Sequence, residues 1–348
     1  ALIMVAIFVA LGFSTMDSVF TWLGATPELL PFIKDYMTIW FSGMIFVALP
    51  MAGNGAIRAQ GDTKTASLIM MVAALANIIL DPIMIFGFGP VPAMGMKGAA
   101  LATLISRALT MVASLYFLKF KYDMLDFRIP KMSEAIDSWR EILYIGLPAA
   151  GANMITPISL SALTALVARM GEAQIAAFGV VTRVESFALI FILAISSSMG
   201  PLVGQNFGAH KMKRIQKALN SSAVLALLWA ALMAFLLSNF GDLIMPLFND
   251  DEEVVQIGIW YFQIVPASFG FLGMRLIACA SYNAIGKPFS SSMLVVLNLL
   301  VLYLPLAYYT SQSYGMKGVF YSSAVSHFIT GILSFFLIRS TISSHDKD

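Results

Sequence analysis

Ten long apolar blocks set the terms for this chain. They run at about 1–22, 36–57, 65–88, 98–118, 141–168, 173–204, 216–248, 256–284, 289–310 and 317–339. A helix needs roughly 20 apolar residues to cross the hydrocarbon core of a bilayer, and each block supplies about that number. Short alternating segments of the kind that build a transmembrane barrel do not occur. Apolar residues make up 59% of the chain and charged ones 11%, against about 45–50% and about 25% in soluble domains. So little charge cannot cover so much apolar surface in water. The predicted class is all-α: a polytopic membrane protein embedded in the lipid bilayer, with no surface for nucleic acid.

The net charge of +2 matters less than its placement. One alternating set of connections carries Arg58, Lys64, Lys119, Lys121, Arg128, Lys131, Arg140, Lys211, Lys213, Arg214, Lys217, Lys287, Arg339 and Lys347. The other carries Lys34, Lys97, Arg169 and Lys317, beside the acidic run Asp250, Asp251, Glu252 and Glu253. Basic residues concentrate on the cytoplasmic side of membrane proteins. The 58–64, 119–140 and 210–217 connections and the C-terminus are therefore predicted to be cytoplasmic, which in a bacterial cell means an inner-membrane protein. The single cysteine, Cys279, lies in an apolar block and permits no intrachain disulfide. Ala1 opens straight into apolar sequence with no positive n-region, unlike a signal peptide.

The chain also repeats itself. Gly95-Met96-Lys97-Gly98 returns as Gly315-Met316-Lys317-Gly318, an offset of 220. Each copy opens a block that ends in a basic residue, Lys119 or Arg339. Upstream, an offset of 225 pairs Glu28 with Glu253, Tyr36 with Tyr261, Phe46 with Phe271, Gly61 with Gly286 and Ser67 with Ser292. Blocks one to four thus face blocks seven to ten, and blocks five and six lack a partner. The repeat predicts two parallel lobes of six helices, with about two helices and part of a third preceding Ala1. Ten of twelve spans would then be present: a partial first lobe over 1–118, a basic linker over 119–140, and a second lobe over 141–348. Parallel six-helix repeats are a transporter design with the substrate site between the halves.

At this point the residues carry a resemblance. The run Gly200-Pro201-Leu202-Val203-Gly204-Gln205-Asn206-Phe207-Gly208-Ala209, followed by Lys211, Lys213 and Arg214, resembles a helix-ending motif of the multidrug and toxic compound extrusion (MATE) transporters. So do Arg58-Ala59-Gln60-Gly61-Asp62-Thr63, the Asn77…Asp81-Pro82 helix, Gly98-Ala99-Ala100-Leu101-Ala102-Thr103, and Gly146-Leu147-Pro148. The resemblance covers the whole chain and is strongest to the DinF-like branch. It implies two helical bundles, export of small organic cations or drugs, and exchange for inward H⁺ or Na⁺, with no cofactor besides that ion and a monomeric state. It also implies a cation site in the first lobe, matched here by Asn77, Asp81 and Thr103, with Tyr36 as a fourth member and a first-helix carboxylate outside this chain. The glutamate that other branches use in the second lobe is replaced near Thr156.

The residues support that site on their own terms. Ionisable groups inside spans are costly and mark function by default; those singled out are Asp81, Arg107, Arg183, Glu185 and Arg275. Asn77 and Asp81, four apart, share a helix face, and Pro82 frees the carbonyl of Ile78. This oxygen-rich patch suits Na⁺, or a proton on a buried carboxylate. The plainer reading makes Asp81 a helix-end group near water and Asn77 a helix–helix contact. Arg183 and Glu185, two apart, point different ways; they line a central cavity or belong to structural ion pairs. Arg107 shares a face with Thr103 and is placed to pair with Asp81 in one state. Gly200, Gly204 and Gly208 read as a close-packing ridge, and Pro148 and Pro157 as bends. A flippase for lipid-linked oligosaccharides is the second reading, although it calls for a more basic cavity. An enzyme is not expected: His210, His327 and His345 form no H-E-x-x-H, and G-x-S-x-G is absent.

Overall fold

The computed structural model describes residues 2–22, 28–126 and 131–345. The chain divides into two compact units, Ala1–Ile129 and Pro130–Asp348. The first unit holds α1 (Leu2–Trp22), α2 (Leu30–Ser42), α3 (Met44–Ala59), α4 (Thr63–Phe86) and α5 (Gly95–Phe120). The second holds α6 (Met132–Ala168), α7 (Glu172–Ala188), α8 (Ile190–Gly208), α9 (Met212–Ile244), α10 (Glu252–Ile264), α11 (Phe269–Ala284), α12 (Pro288–Val296) and α13 (Leu304–Ser344). A π-helical stretch, Leu297–Tyr303, joins α12 to α13.

Among the described residues, eight helical stretches are long and apolar enough to span a membrane. Counting α2 and α3, bent by 49°, as one broken span makes nine. The 57-residue stretch Pro288–Ser344 is itself broken at Gly315, with φ 55° and ψ −137°, and splitting it there accounts for the tenth apolar block. Side chains such as Phe86, Phe120 and Leu247 are at least three-quarters exposed. An apolar exterior of this kind fits hydrocarbon as the surrounding solvent and would be a liability in water.

The repeated turn shows why its sequence is G-M-K-G. Gly95 and Gly315 have nearly equal positive φ, 54° and 55°, a region open to glycine at no steric cost. Three residues on, Gly98 presses its bare Cα against the carbonyl of Met84, and Gly318 does the same against Thr310. A methyl group at either position would collide with backbone. Thr310 seals its side by donating to the Gly318 carbonyl at 2.9 Å. The turns leading into α4 and α12 match as well, with Gly61 at φ 87° and Gly286 at φ 74°.

The expected 119–140 connection is shorter than its charge suggests. α5 continues to Phe120, and α6 starts at Met132, where the Glu134 carboxylate accepts from the Lys131 N–H at 3.3 Å. Lys121 closes the first unit instead. Its Nζ lies 2.7 Å from Asp62 Oδ2, which also accepts from Tyr122 at 2.6 Å, while Asp62 caps α4 through the Thr65 N–H at 2.8 Å. Hydrogen bonds from Lys121 and Tyr122 hold the Asp62 carboxyl well below the usual carboxylate range, and Asp62 in turn raises Lys121.

One other expectation changes. Of the three glycines read as a packing ridge, Gly204 alone meets a neighbour, the Ala284 carbonyl at 3.8 Å from an ideal Cβ; Gly200 and Gly208 face open space. Pro148 and Pro157 share helix α6, as expected, and the Pro148 carbonyl accepts from the Ser292 hydroxyl at 2.9 Å.

Candidate cation and substrate site

In the first unit, α4 and α5 pack side by side and carry three of the four residues proposed for the cation site. Asn77 Nδ2 donates to Asp81 Oδ1 at 3.2 Å, as the four-residue spacing on one face requires. Asn77 and Thr103 line one cavity of about 200 Å³ between the two helices, together with Met70, Ala73, Ser106 and Arg107. The Thr103 hydroxyl donates to the Ala99 carbonyl at 3.0 Å, which leaves its lone pairs free to face a cation. Tyr36 is engaged elsewhere: its hydroxyl accepts from Trp40 Nε1 at 3.0 Å. The structure therefore joins Asn77 to Asp81 and places Asn77 and Thr103 on one cavity, while the Tyr36 hydroxyl accepts from Trp40.

Arg107 shares a face with Thr103, from which it could pair with Asp81 in one state and release it in another. In this structure it lies exposed at the cavity, and no hydrogen bond or ion pair engages it among the described residues. The sequence reading also passed over Asp17 of α1, which pairs with Lys34 at 2.8 Å, and Asp35 of α2, which pairs with Lys97 at 3.2 Å. Both pairs join helix ends, and an acidic residue at the margin of an apolar block was the signal available.

The charges singled out in the second unit separate. Glu185 is half-buried and accepts from the Tyr261 hydroxyl at 2.6 Å, whereas Arg183 is exposed. Around them lies a set of internally bonded polar groups. His327 Nδ1 meets the Ser268 hydroxyl at 3.0 Å, and Asn298 Nδ2 donates to Thr330 at 3.1 Å. Arg275 is buried beside Cys279, with its Nε unpartnered among the described residues.

A helical, multi-span protein with an internal repeat and polar groups gathered inside its spans is a membrane transporter in class. The MatE family model matches residues 1–83 and 148–309, and the chain belongs to that family. A FAD transporter of Shewanella oneidensis is 35% identical over 97% of this chain and 75% of its own length. The multidrug export protein MepA of Staphylococcus aureus is 26% identical over 97% of this chain and 73% of its own. Among solved structures, the D35N mutant of the Vibrio cholerae MATE transporter VcmN superposes with a TM-score of 0.91 at 27% identity, covering 98% of this chain and 77% of that one. The family consists of transporters, not enzymes.

Proposed function

We propose that this protein is a secondary-active exporter in which H⁺ or Na⁺ binds at Asp81, Asn77 and Thr103 and drives cargo out of the cell. The observation that carries the reading is the Asn77–Asp81 pair, held at 3.2 Å within a membrane span, with Asn77 and Thr103 lining one cavity. A carboxylate there costs several kcal/mol unless a cation or proton balances it. Alternating access then requires only that the ion and the cargo prefer opposite states. The charge placement supports an inner-membrane protein with a cytoplasmic C-terminus, working as a monomer of the DinF-like branch.

The relative named as a multidrug exporter supports organic cations or drugs as cargo. The relative named as a FAD transporter, at higher identity, supports an organic anion instead. Full-length protein in proteoliposomes tests the coupling: efflux of a reporter cargo is driven by an imposed H⁺ or Na⁺ gradient and compared with Asp81→Asn. Wild type should follow one gradient, and the mutant should fold yet lose that dependence by about tenfold or more. A mutant that stays fully coupled removes Asp81 from the mechanism.

A further inference from the structure

We infer that Arg107 binds a phosphate group of the cargo, so that the cavity between α4 and α5 is an organic-anion site rather than only a cation site. Arg107 lies twelve residues from the start of α5 and thirteen from its end, near the middle of a span. A guanidinium at that depth is costly and is normally matched by a partner, yet no hydrogen bond or ion pair engages it among the described residues. It borders a cavity of about 200 Å³ whose other polar groups are Asn77, Thr103, Ser106 and Thr110. Those three hydroxyls donate along their own helix, to Ala99, Ala102 and Ser106, at 2.9–3.0 Å. The donors left to face the cavity come chiefly from Arg107, whose planar fork matches phosphate oxygens. A cavity this small admits the phosphate end of a cargo, not a whole drug-sized molecule.

The repeat supplies an internal control. At an offset of 220, Arg107 corresponds to His327, Ser106 to Ser326 and Thr110 to Thr330. In the second unit those positions are satisfied from within, by Ser268 on His327 and by Asn298 on Thr330. At an offset of 225, Asn298 corresponds to Ala73, so the first unit has a methyl group where the second has an amide. The same positions are bonded to neighbouring helices in one unit and border a cavity beside an arginine in the other.

The site rests on the exporter reading only in supposing that cargo reaches the cavity, and binding can be measured without any gradient. Full-length protein in nanodiscs would be titrated with riboflavin, FMN and FAD by flavin fluorescence, and with farnesyl pyrophosphate as competitor. Affinity should rise from riboflavin to the phosphorylated flavins. Arg107→Gln should cut FMN and FAD binding by at least about tenfold while leaving riboflavin unchanged, and Arg107→Lys should retain part of it. Strong competition by farnesyl pyrophosphate would point to a lipid-linked phosphate, and weak competition to a soluble one; either keeps the anion site. The inference falls if wild type binds all three flavins alike, a comparison that needs no variant to fold. It also falls if Arg107→Gln binds FAD as wild type does, as it would were Arg107 paired with a carboxylate from outside this chain. Loss of gradient coupling in Asp81→Asn with phosphate binding intact would separate the two proposals.

Discussion

Lys97 in the first unit reaches the Asp35 carboxylate at 3.2 Å, whereas Lys317, its repeat counterpart, sits 4.1 Å from the ring centre of Trp260. Asp35 and Trp260 are themselves counterparts at the offset of 225. A lysine clasping the helix opposite has been kept, and its partner has changed from a carboxylate to an aromatic face. The same substitution of charge by neutral contact recurs at the other end of each unit. Lys121 bonds Asp62 at 2.7 Å, while Thr341, its counterpart, meets the Tyr282 hydroxyl at 3.3 Å. Between these ends the second unit is knit by buried polar bonds, and the first keeps a polar cavity. The difference teaches that one architecture serves two ends. Buried polar bonds cross-link the helices of the second unit, although Ser159 Oγ, Arg275 Nε and Asn298 Oδ1 are left without partners among the described residues, and the cavity of the first is where the proposed ion or cargo would enter.

The comparison breaks most readily at its shared feature. Gly98→Ala drives a methyl group into the Met84 carbonyl of α4 and Gly318→Ala into the Thr310 carbonyl on the far side of the break in α13, and each should cost about 1–3 kcal/mol or more. Thermal unfolding in detergent would measure both. Comparable losses uphold the equivalence of the two turns; a tolerated Gly318→Ala beside a damaging Gly98→Ala would end it.

A smaller effect on stability is expected from Ala73→Asn, which imports the amide of the second unit into the first. It should bond Thr110 as Asn298 bonds Thr330 and change stability by only about 1 kcal/mol, while filling the cavity that Ala73 lines. Flavin phosphate binding should fall about tenfold. Retention of full binding would mean that the cavity is not where cargo docks.

The smallest effect belongs to the lysines. Lys97 and Asp35 are both about half exposed, 55% and 46%, so Lys97→Met should cost at most about 1 kcal/mol and lose that cost in high salt. Lys317→Met gives up a cation–π contact of about 0.5–1 kcal/mol, with a change in Trp260 fluorescence and a weaker response to salt. Equal salt sensitivity at both positions would erase the distinction drawn here.

Most of the fold was legible because apolar block length and the repeat are properties of the chain alone. The breaks inside blocks were not. The 36–57 block divides at Gly43, and the 173–204 block divides at Leu189, where neither residue stands out in sequence. For the site, Asn77 and Asp81 were legible because a four-residue spacing fixes two side chains on one helix. The meeting of Asn77 with Thr103 and Arg107 at one cavity was not, since it comes from the packing of α4 on α5. Trp40, four residues on along α2, donates to the Tyr36 hydroxyl by the same spacing that joins Asn77 to Asp81, and Arg107 borders the cavity in this structure. Glu185 was visible as a buried charge, but nothing local announced Tyr261, which lies seventy-six residues away.

Five residues separate the two offsets, and they are spent on the hairpin after α4. Phe88 and Val91 exchange backbone hydrogen bonds at 3.0 and 3.1 Å there, with Gly89 and Pro90 exposed at the tip. The corresponding joint in α13 is Gly315 alone. The hairpin is thus an address at which a reporter, an epitope or a short fluorescent tag can be spliced between Gly89 and Pro90, because the bonds that fix α4 and α5 close beneath it. At Gly315 there is no such slack, and an inserted residue would pull apart the two spans that a single glycine holds together.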